Sequence, residues 1–306
     1  MTDGWNLLAS VAGIALGTGL LTSIAARPLG RWTGLVDSRE RDTQGRPLSR
    51  MGGSALLVAW CVGIAAGGAL SASLLTLVAC GSAAWLLGLH DDFTDSSPRL
   101  RLAVLALLAT AAAALGLRAE SIALPGLGPV ALGFAAIPLS ALWILGTTVA
   151  FNFIDGLDGL ALGLGFLTVG GLLLLAGTGV WAVPLAALLG AQLGVLCLNR
   201  PAASLYLGDN GSNLLGFVIG TLLIAGLQEG GSFPALAALL LIALPVTDAG
   251  MTMLRRARSG DSLFQSDLGH LHHRLLGAGQ SRWTALLLLL GTGGLFAGLA
   301  VLLGGS

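Results

Sequence analysis

Residues 152–161 read NFIDGLDGLA and place an asparagine and two aspartates in the middle of a strongly apolar sequence. Apolar runs flank this stretch on both sides, at residues 134–151 and 160–175. An aspartate at the centre of a bilayer costs about 3 kcal/mol on insertion scales, and two cost roughly twice that. We therefore expect a polar turn between two membrane-spanning helices, placed at a membrane face or in a wet cavity.

The composition of the whole chain indicates a membrane protein. Of its 306 residues 55% are hydrophobic and 10% are charged, whereas soluble domains carry about 25% charged residues. Apolar runs long enough to cross a bilayer lie near residues 5–26, 54–70, 72–89, 100–117, 134–151, 160–177, 180–198, 212–228, 234–254 and 283–304. We predict an all-α integral membrane protein, a polytopic bundle of about ten transmembrane helices forming one domain over residues 1–306.

The distribution of arginine predicts the orientation of this bundle. If the spans alternate in direction, the loops at residues 27–53, 90–101, 152–159, 199–211 and 255–282 emerge on one side. These loops contain every arginine except Arg118, and the chain has no lysine. By the positive-inside rule they face the cytoplasm of a plasma membrane, with both termini outside. The segment 121–133, rich in proline and glycine, is expected to be an extracytoplasmic excursion instead of a helix.

Two of the predicted cytoplasmic loops are rich in carboxylates. Asp91, Asp92 and Asp95 follow one another closely, and on a helix Asp91 and Asp95 would share a face, where a metal or a cationic group would relieve their repulsion. A solvated acidic cap at the end of a span is the alternative. Asp209 lies between two glycines in LGDNGS, a compact turn that could present a carboxylate and backbone N–H groups to a metal phosphate.

The opening stretch adds a third set of oxygen ligands. Asn152, Asp155 and Asp158 are spaced three residues apart, so they would share one face if the backbone there is helical. Grouped hard oxygen ligands favour Mg²⁺, with Mn²⁺ as the alternative, because these metals also coordinate substrate phosphates.

The longest predicted cytoplasmic loop is basic. It contains His270, His272, His273 and Arg274, which favour phosphate binding or proton handling. A zinc site is less favoured because no cysteine accompanies the histidines. Asp248, an acid inside the ninth predicted span, is expected to lie beside these basic groups.

Carboxylates, glycine turns and cationic side chains on one membrane face suit metal-assisted phosphoryl transfer with a lipid reactant. The motifs DDFTD at Asp91, NFIDGLDGLA at Asn152, LGDNGS at Leu207 and HLHHRLL at His270 resemble, in order, those of the polyprenyl-phosphate N-acetylhexosamine-1-phosphate transferase family. With PVTDAG at residues 245–250, the chain looks closer to the branch that uses UDP-N-acetylglucosamine-type donors than to the muramoyl-pentapeptide transferases.

The resemblance implies transfer of a sugar 1-phosphate from a UDP-N-acetylhexosamine to a polyprenyl phosphate, with release of UMP. It implies catalytic roles for Asp91, Asp92, Asp155, Asp158 and His273, magnesium ligation by Asn152 and Asp209, and substrate binding by Asp95, Asn199, Tyr206, His270, His272 and Arg274. Asp91 and Asp92 would lie by the lipid phosphate, one of them as its base. Tyr206 would stack on uracil, and the histidines with Arg274 would bind diphosphate or sugar.

The chain departs from the family pattern in two places. Relatives carry a lysine and a histidine in the first cytoplasmic loop, where this chain has Arg39 and Arg41, and a lysine shortly before the GD turn, where it has Ala203 and Ser204. Because arginine lacks the compact charge of lysine, the geometry of the bound donor or the choice of sugar can differ from that of the relatives.

Two other functions compete with this interpretation. A transporter or flippase for an anionic substrate would favour charges near the bilayer midplane and an internal repeat of spans, but only Asp248 lies clearly inside a span. A catalytically decayed scaffold is disfavoured because all the acidic motifs are retained. The exact sugar, the lipid length, the glycan pathway and homodimerisation are left open, and no nucleic-acid partner is expected.

Overall fold

The structure is a computed structural model that describes residues 2–41, 45–68, 70–94, 96–124, 128–228, 233–259 and 269–304. Twelve α-helices account for most of these described residues. They are α1 Thr2–Thr33, α2 Gly52–Ala66, α3 Ala72–Thr94, α4 Pro98–Ala114, α5 Ala136–Ile154, α6 Leu160–Ala176, α7 Ala182–Asn199, α8 Gly208–Leu227, α9 Ala235–Leu241, α10 Ala243–Ser259, α11 Leu271–Gly277 and α12 Arg282–Gly304. Five short strands and one 3₁₀ turn, Gly133–Ala135, accompany the helices. The strands are β1 Val36–Arg41, β2 Pro47–Ser49, β3 Ser121–Leu124, β4 Gly128–Ala131 and β5 Phe233–Pro234.

The helices confirm an all-α membrane protein but not the predicted number of spans. Each predicted span except the ninth coincides with one helix, and the ninth, residues 234–254, is divided between α9 and α10. Only six helices in the described chain are long and apolar enough to cross a bilayer. A seventh is added if α9 and α10, which are bent by 79° at their junction, form one broken span. The shortfall arises because α2 has 15 residues and α4 and α6 have 17 each. At 1.5 Å per residue, such helices are shorter than a hydrocarbon core of about 30 Å.

Helix α8 is the centre of the bundle. Its apolar window is 94% buried, against 28% for α1 and 22% for α12, whose outer faces are left for lipid. The helix packs against α2, α3, α5 and α6. An apolar helix that is buried on all sides has its position determined by its neighbours. The beginning of α8, where LGDNGS lies, is therefore held between several other helices.

Close packing at the beginning of α8 explains the glycine pair at the start of α2. The N–H groups of Gly52 and Gly53 donate to the carbonyls of Tyr206 and Leu207, both at 2.9 Å. A Cβ on Gly53 would lie only 2.1 Å from Oδ1 of Asn210. Only glycine permits the two helix starts to approach this closely.

The two small sheets lie at opposite ends of the bundle. Strands β1 and β2 pair antiparallel with Val36 opposite Ser49, and the carbonyl of Ser49 accepts the N–H of Tyr206 at 2.8 Å, so this hairpin is joined to the loop before α8. At the other end of α4 and α5, β3 pairs antiparallel with β4 and parallel with β5. Segment 121–133, for which the sequence predicts no helix, is thus a β-hairpin followed by one short 3₁₀ turn in its described residues.

Candidate active site

The polar segments predicted to face one compartment do meet at one end of the bundle. The backbone N–H of Asp209 donates to Oδ1 of Asp92 at 3.1 Å, and Nδ2 of Asn152 donates to Oδ1 of Asp209 at 3.0 Å. Nη1 of Arg282 lies 3.6 Å from Oδ2 of Asp158. Nη1 of Arg50, from the first predicted cytoplasmic loop, lies 3.9 Å from Oδ1 of Asp92. Side chains from five separate parts of the chain therefore form one polar site.

A cavity of about 530 Å³ opens at this site, and we call it the polar pocket. Its volume is within the range of ligand sites, about 300–1,000 Å³. Seven residues predicted from the sequence line it: Asp92, Asp155, Asp158, Asn199, Tyr206, Asp209 and His273. Asp37, Arg50 and Arg282 also line it, so the pocket wall combines carboxylates with guanidinium groups. Such a wall suits a multiply charged anion that is bound together with a cation.

Both carboxylate oxygens of Asp209 accept hydrogen bonds from side chains elsewhere in the chain. Oδ1 accepts the amide of Asn152, which also donates to Oγ of Ser212 at 2.9 Å, and Oδ2 accepts Nη1 of Arg101 at 3.0 Å. The same Nη1 of Arg101 donates to Asp91. One guanidinium therefore joins two carboxylates that would otherwise repel each other.

Asp92 holds the beginning of α8. Its side chain is 2% exposed and accepts the backbone N–H groups of Asp209 and Asn210, the latter at 2.9 Å, together with the side-chain amide of Asn210 at 2.6 Å. The first N–H groups of a helix have no partner within the helix, so a buried carboxylate that accepts them stabilises the helix start. Asp92 thereby places Asp209, and its assignment as a base stays a prediction.

Asp91 is also saturated with donors. Oδ1 accepts the backbone N–H of Ser96 at 2.8 Å and its hydroxyl at 2.7 Å, while Oδ2 accepts Arg101. The carboxylate is buried and lies outside the wall of the polar pocket. Asp91 contacts the pocket only indirectly, through the guanidinium of Arg101, which also bonds Asp209. The third acid of this motif, Asp95, lies outside the described residues.

The turn after α5 separates the three residues that could have shared a helical face. Helix α5 ends at Ile154, so Asn152 is helical and points to Asp209, whereas Asp155 and Asp158 lie in the following turn and line the polar pocket. The expected common face is absent because the helix stops two residues after Asn152. Asp158 is held in the turn by the N–H of Ala203, which donates to Oδ2 at 3.2 Å.

Asp155 has the most unfavourable electrostatic environment in the polar pocket. Desolvation by the surrounding protein and the nearby charges of Asp209, Asp92 and Asp158 raise the pKa of its carboxyl well above the ordinary value. Although its surface is partly open to the cavity, no described residue donates a hydrogen bond to it. A cation in the cavity would relieve this excess of negative charge.

Asn199 and Tyr206 connect the pocket wall to the fold. Oδ1 of Asn199 accepts the N–H of Gly159 at 3.0 Å, and its Nδ2 donates to the carbonyl of Leu205 at 3.0 Å, so it joins the turn after α5 to the loop after α7. Tyr206 is half-buried in the wall, with its backbone bonded to Ser49 and Gly52. Stacking of its ring on a base stays a prediction.

The structure separates the four basic residues of the HLHHRLL motif. Only His273 lines the polar pocket. His270 is buried with Nδ1 2.7 Å from Oδ2 of Asp248, which confirms that this acid lies beside a basic group. His272 is buried behind the pocket, and Arg274 is exposed and lines no described cavity. Substrate binding by these three residues stays a prediction.

His272 is packed directly against the DGLDG turn. A Cβ on Gly156 would lie 2.3 Å from its Nε2, so a glycine is required at that position for the ring to fit. Both ring nitrogens are buried without a hydrogen-bond partner in the described part of the chain. Burial, together with the neighbouring His273 and His270, lowers the pKa of His272 to about 4. The ring is therefore neutral near pH 7.

Four charged residues of the site were not assigned to it from the sequence: Asp37, Arg50, Arg101 and Arg282. Nη2 of Arg50 lies 2.8 Å from Oδ2 of Asp37, which fixes the guanidinium between the first loop and Asp92. The sequence leaves open whether these arginines orient the chain in the membrane or bind phosphate, because a positive loop has the same sequence in both cases. The acidic motif ten residues before Arg101 was the one available signal for that residue.

The residues present fit a hard divalent cation. The pocket offers carboxylate oxygens, and the charges of Asp209, Asp92 and Asp158 lie near Asp155 and contribute to the raised pKa of its carboxyl after desolvation by burial. Among the described residues, no three His, Cys, Asp or Glu side chains are grouped closely enough to hold a metal by themselves. A magnesium ion would therefore take one or two carboxylates from the chain and its other ligands from water and substrate phosphates, as Mg²⁺ commonly does.

A second, apolar cavity begins next to the polar pocket. It consists of two adjoining cavities of about 160 and 580 Å³ between α4, α5, α9 and α10, which we call the apolar groove. Arg101, Asn152 and Phe153 line its mouth, and Leu139 and Leu142 line its far part. Arg101 and Asn152 also bond Asp209. The mouth of the groove and the polar pocket are thus separated by a few polar side chains.

The fold and the site define a polytopic helical membrane protein in which an acidic, arginine-containing pocket lies beside an apolar groove. The model of glycosyl transferase family 4 matches residues 74–227 of the chain, and the chain belongs to this family. The match includes DDFTD, NFIDGLDGLA and LGDNGS, which supply the carboxylates around Asp209.

Curated relatives extend the similarity over most of the chain. A Bacillus subtilis protein named "Probable undecaprenyl-phosphate N-acetylglucosaminyl 1-phosphate transferase" is 30% identical over 88% of this chain and 77% of its own length. The decaprenyl-phosphate N-acetylglucosaminephosphotransferase of Mycolicibacterium smegmatis is 30% identical over 85% of this chain and 72% of its own. The undecaprenyl-phosphate alpha-N-acetylglucosaminyl 1-phosphate transferase of Escherichia coli K12 is 31% identical over 74% and 64%.

Proposed function

We propose that this protein transfers N-acetylhexosamine 1-phosphate, most simply N-acetylglucosamine 1-phosphate, from a UDP-sugar to a polyprenyl phosphate and releases UMP. The relatives described above are named for this class of reaction. The reaction would initiate synthesis of a cell-envelope glycan on its lipid carrier.

The observation that carries the proposal is the junction between the polar pocket and the apolar groove. Asp209 lines the pocket, while Arg101 and Asn152, which bond its two oxygens, line the groove mouth. A nucleotide sugar in the pocket and a prenyl chain in the groove would bring their phosphates together at these three residues. Holding two reactants in contact is itself a large source of rate acceleration.

The proposed reaction is a single displacement at phosphorus. An oxygen of the polyprenyl phosphate attacks the β-phosphorus of the UDP-sugar. The bond between the β-phosphorus and the bridging oxygen breaks, and UMP leaves with that oxygen and the electron pair. Such a reaction requires positioning and charge stabilisation more than covalent chemistry by the protein. Because a phosphate monoester is already largely ionised near neutral pH, the attacking oxygen needs little help from a base.

The residues of the chain would divide these tasks by position. Arg101 at the groove mouth would bind the lipid phosphate, and Arg50, His273 and Arg282 on the pocket wall would bind the donor. Asp209 and Asn152 would hold Mg²⁺, with Mn²⁺ as the alternative, and Asp155 and Asp158 would orient the donor and the metal. When bound, the metal would neutralise the diphosphate charge. Arginine distribution supports a cytoplasmic pocket in the plasma membrane.

The test is a reconstituted assay with purified protein in detergent. With UDP-N-acetylglucosamine, undecaprenyl phosphate and Mg²⁺ we expect UMP and a lipid-linked sugar in equal amounts. Omission of the lipid or addition of EDTA should abolish both products. A panel of UDP-N-acetylhexosamines then identifies the sugar. UMP release that does not require a polyprenyl phosphate would refute the proposal.

The transporter alternative has a distinct readout. In sealed proteoliposomes a transporter would accumulate labelled UDP-sugar, or move lipid-linked sugar across the bilayer, without forming UMP. The three relatives above are named as transferases, and the sequence similarity gives the transporter no support. Transport without UMP formation would nevertheless decide in its favour.

A further inference from the structure

A buried pair of side chains outside the polar pocket joins the wall of the pocket to the wall of the apolar groove. Asp248 is 1% exposed, and its Oδ2 lies 2.7 Å from Nδ1 of His270. Its Oδ1 accepts the backbone N–H of Leu271 at 2.8 Å. Both oxygens of one carboxylate from α10 are therefore used at the beginning of α11.

The two helices joined by this carboxylate serve different cavities. Helix α10 lines the apolar groove with Val246 and Met253, among others. Helix α11 contributes His273 and Leu276 to the wall of the polar pocket. Asp248 therefore joins α10, in the wall of the groove, to α11, in the wall of the pocket.

Helix α11 depends on such a contact for its position. It has only seven residues, and helices of this length are not stable by their own hydrogen bonds. It follows a segment, 260–268, that lies outside the described residues. Among the described hydrogen bonds, those that anchor its first turn to the rest of the protein are made by Asp248, with Thr252 adding a 3.4 Å contact to His270.

We propose that Asp248 is a positioning residue for the transfer reaction: by holding the His270 ring and the Leu271 N–H, it orients α11 and places His273 in the polar pocket. His270 in this arrangement acts through Asp248 and not by contact with the substrate. This inference rests on the proposed function, because it assigns His273 to donor binding.

The substitutions at His270 separate positioning from contact. Asparagine places its amide N–H near the position of the histidine Nδ1, so His270→Asn retains a donor for Asp248 but lacks the Nε2 edge. His270→Leu removes both the donor for Asp248 and the Nε2 edge. Asp248→Asn keeps an acceptor for Leu271 and loses the charge, whereas Asp248→Ala loses both bonds. Thr247→Ala is the matched control. Thr247 is exposed on the same helix, and its hydroxyl bonds only backbone carbonyls of that helix.

The measurement is steady-state kinetics of UMP release with both substrates varied. We expect Asp248→Ala and His270→Leu to raise the KM for UDP-N-acetylglucosamine about tenfold while the KM for undecaprenyl phosphate changes less than about twofold. His270→Asn should recover most of the loss, and Thr247→Ala should match the wild type. A thermal unfolding midpoint for each variant separates misplacement of α11 from global unfolding.

A double-mutant cycle decides whether the effect passes through His273. If Asp248 acts by placing His273, then Asp248→Asn should add little to the loss caused by His273→Ala. Additive losses, or equal damage by His270→Asn and His270→Leu, would overturn the proposal. If Asp248→Ala does not fold, Asp248→Asn and His270→Leu carry the same comparison. Absence of UMP release by the wild type would instead refute the proposed function itself.

Discussion

The polar pocket and the apolar groove have similar volumes, about 530 Å³ against 580 Å³ for the larger part of the groove, but they are built in opposite ways. The pocket is made from loops and helix ends that are joined by hydrogen bonds between distant parts of the chain. The groove is made from the faces of four helices and contains few polar atoms. A hydrogen-bonded wall admits one arrangement of charges, whereas an apolar wall tolerates variation of its ligand. We expect strict selection of the donor headgroup and looser selection of the prenyl chain.

The largest expected effect comes from removing the carboxylate at the junction of the two cavities. Asp209→Asn should lower kcat about 10³-fold, because it removes a charge that bonds Arg101 and faces the proposed metal, equivalent to roughly 4 kcal/mol of transition-state stabilisation. The measurement is UMP release at saturating substrates.

Glu120→Gln is the matched control for that experiment. It removes a carboxylate at the β3–β4 end of the bundle, where Glu120 pairs only with nearby Arg118 among the described salt bridges. Full activity of Glu120→Gln with loss in Asp209→Asn is the expected pattern. An Asp209→Asn enzyme with near-normal turnover would mean that the junction does not carry the chemistry.

The second prediction tests whether the pocket depends on the tight contact of two helix starts. Gly53→Ala would place a Cβ 2.1 Å from Oδ1 of Asn210, so the beginning of α8 must shift. Overpacking of this kind costs about 1–3 kcal/mol. We expect a lower unfolding midpoint and about 10²-fold less activity, because Asp209 is displaced.

Gly13→Ala is the control for the glycine prediction, since nothing lies within 4 Å of a Cβ at Gly13 on α1. Its stability should equal or slightly exceed that of the wild type, because alanine favours helix more than glycine does. Binding of a fluorescent prenyl phosphate should persist in Gly53→Ala. Loss of lipid binding in that variant would show that the two cavities are not built independently.

The third prediction concerns the groove. Gly146 lines it, and a Cβ at this position would meet no atom within 4 Å, so Gly146→Phe should fill the groove without disturbing the helices. We expect the KM for undecaprenyl phosphate to rise about tenfold while the KM for the UDP-sugar stays within about twofold. The rise in KM should be smallest for short prenyl phosphates.

Gly298→Phe provides the comparison for the groove variant, because Gly298 lies on the exposed face of α12 and also has open space around it. Its substrate constants should not change. An equal rise in both KM values for Gly146→Phe would indicate that the groove shape also determines the pocket.

The last prediction concerns the pH dependence of stability, and its expected effect on turnover is the smallest of the four. His272 is the buried side chain behind the pocket wall whose pKa is lowered to about 4 from an ordinary value near 6.5. As the pH falls from 6.5 to 4, the unfolded chain binds a proton at His272 that the folded protein does not. The free energy of unfolding therefore decreases over that window, by at most about 1.4 kcal/mol per pH unit.

The measurement is the unfolding midpoint in detergent at pH 7 and pH 5. His272→Phe should reduce the difference between the two midpoints, since it removes the titrating group. His90→Phe, which replaces an exposed histidine, should leave that difference as in the wild type. If both variants behave alike, His272 is not the source of the pH dependence.

Much of the architecture could be predicted from local patterns. Every predicted span except the ninth, which is divided between α9 and α10, lies on one helix, because apolar runs in a membrane protein must satisfy their backbone hydrogen bonds internally. The number of true spans could not be predicted, since short apolar helices such as α2 and α6 have the composition of a span without its length. The bend of 79° between α9 and α10 likewise depends on packing, although Pro245 lies near it.

The members of the site could be predicted better than the bonds between them. Asp92, Asp155, Asp158 and Asp209 all line the polar pocket, as their motifs indicated. The bond that places Asp92 on the start of α8, however, joins residues 118 positions apart. No local pattern encodes such a distance, because it results from how α3 packs on α8.

The amino-acid sequence by itself determined that this is a helical membrane protein of glycosyl transferase family 4, and it identified the motifs whose aspartates line the polar pocket. Hydropathy and short motifs are local properties, and the cost of burying charge in lipid restricts where polar segments can lie. Only the tertiary structure decided the partners: Arg101 lies between two aspartates, His270 bonds Asp248, and His273 is the one basic residue of its motif that lines the pocket. Those choices depend on which helix faces meet, and that is set by packing over the whole bundle.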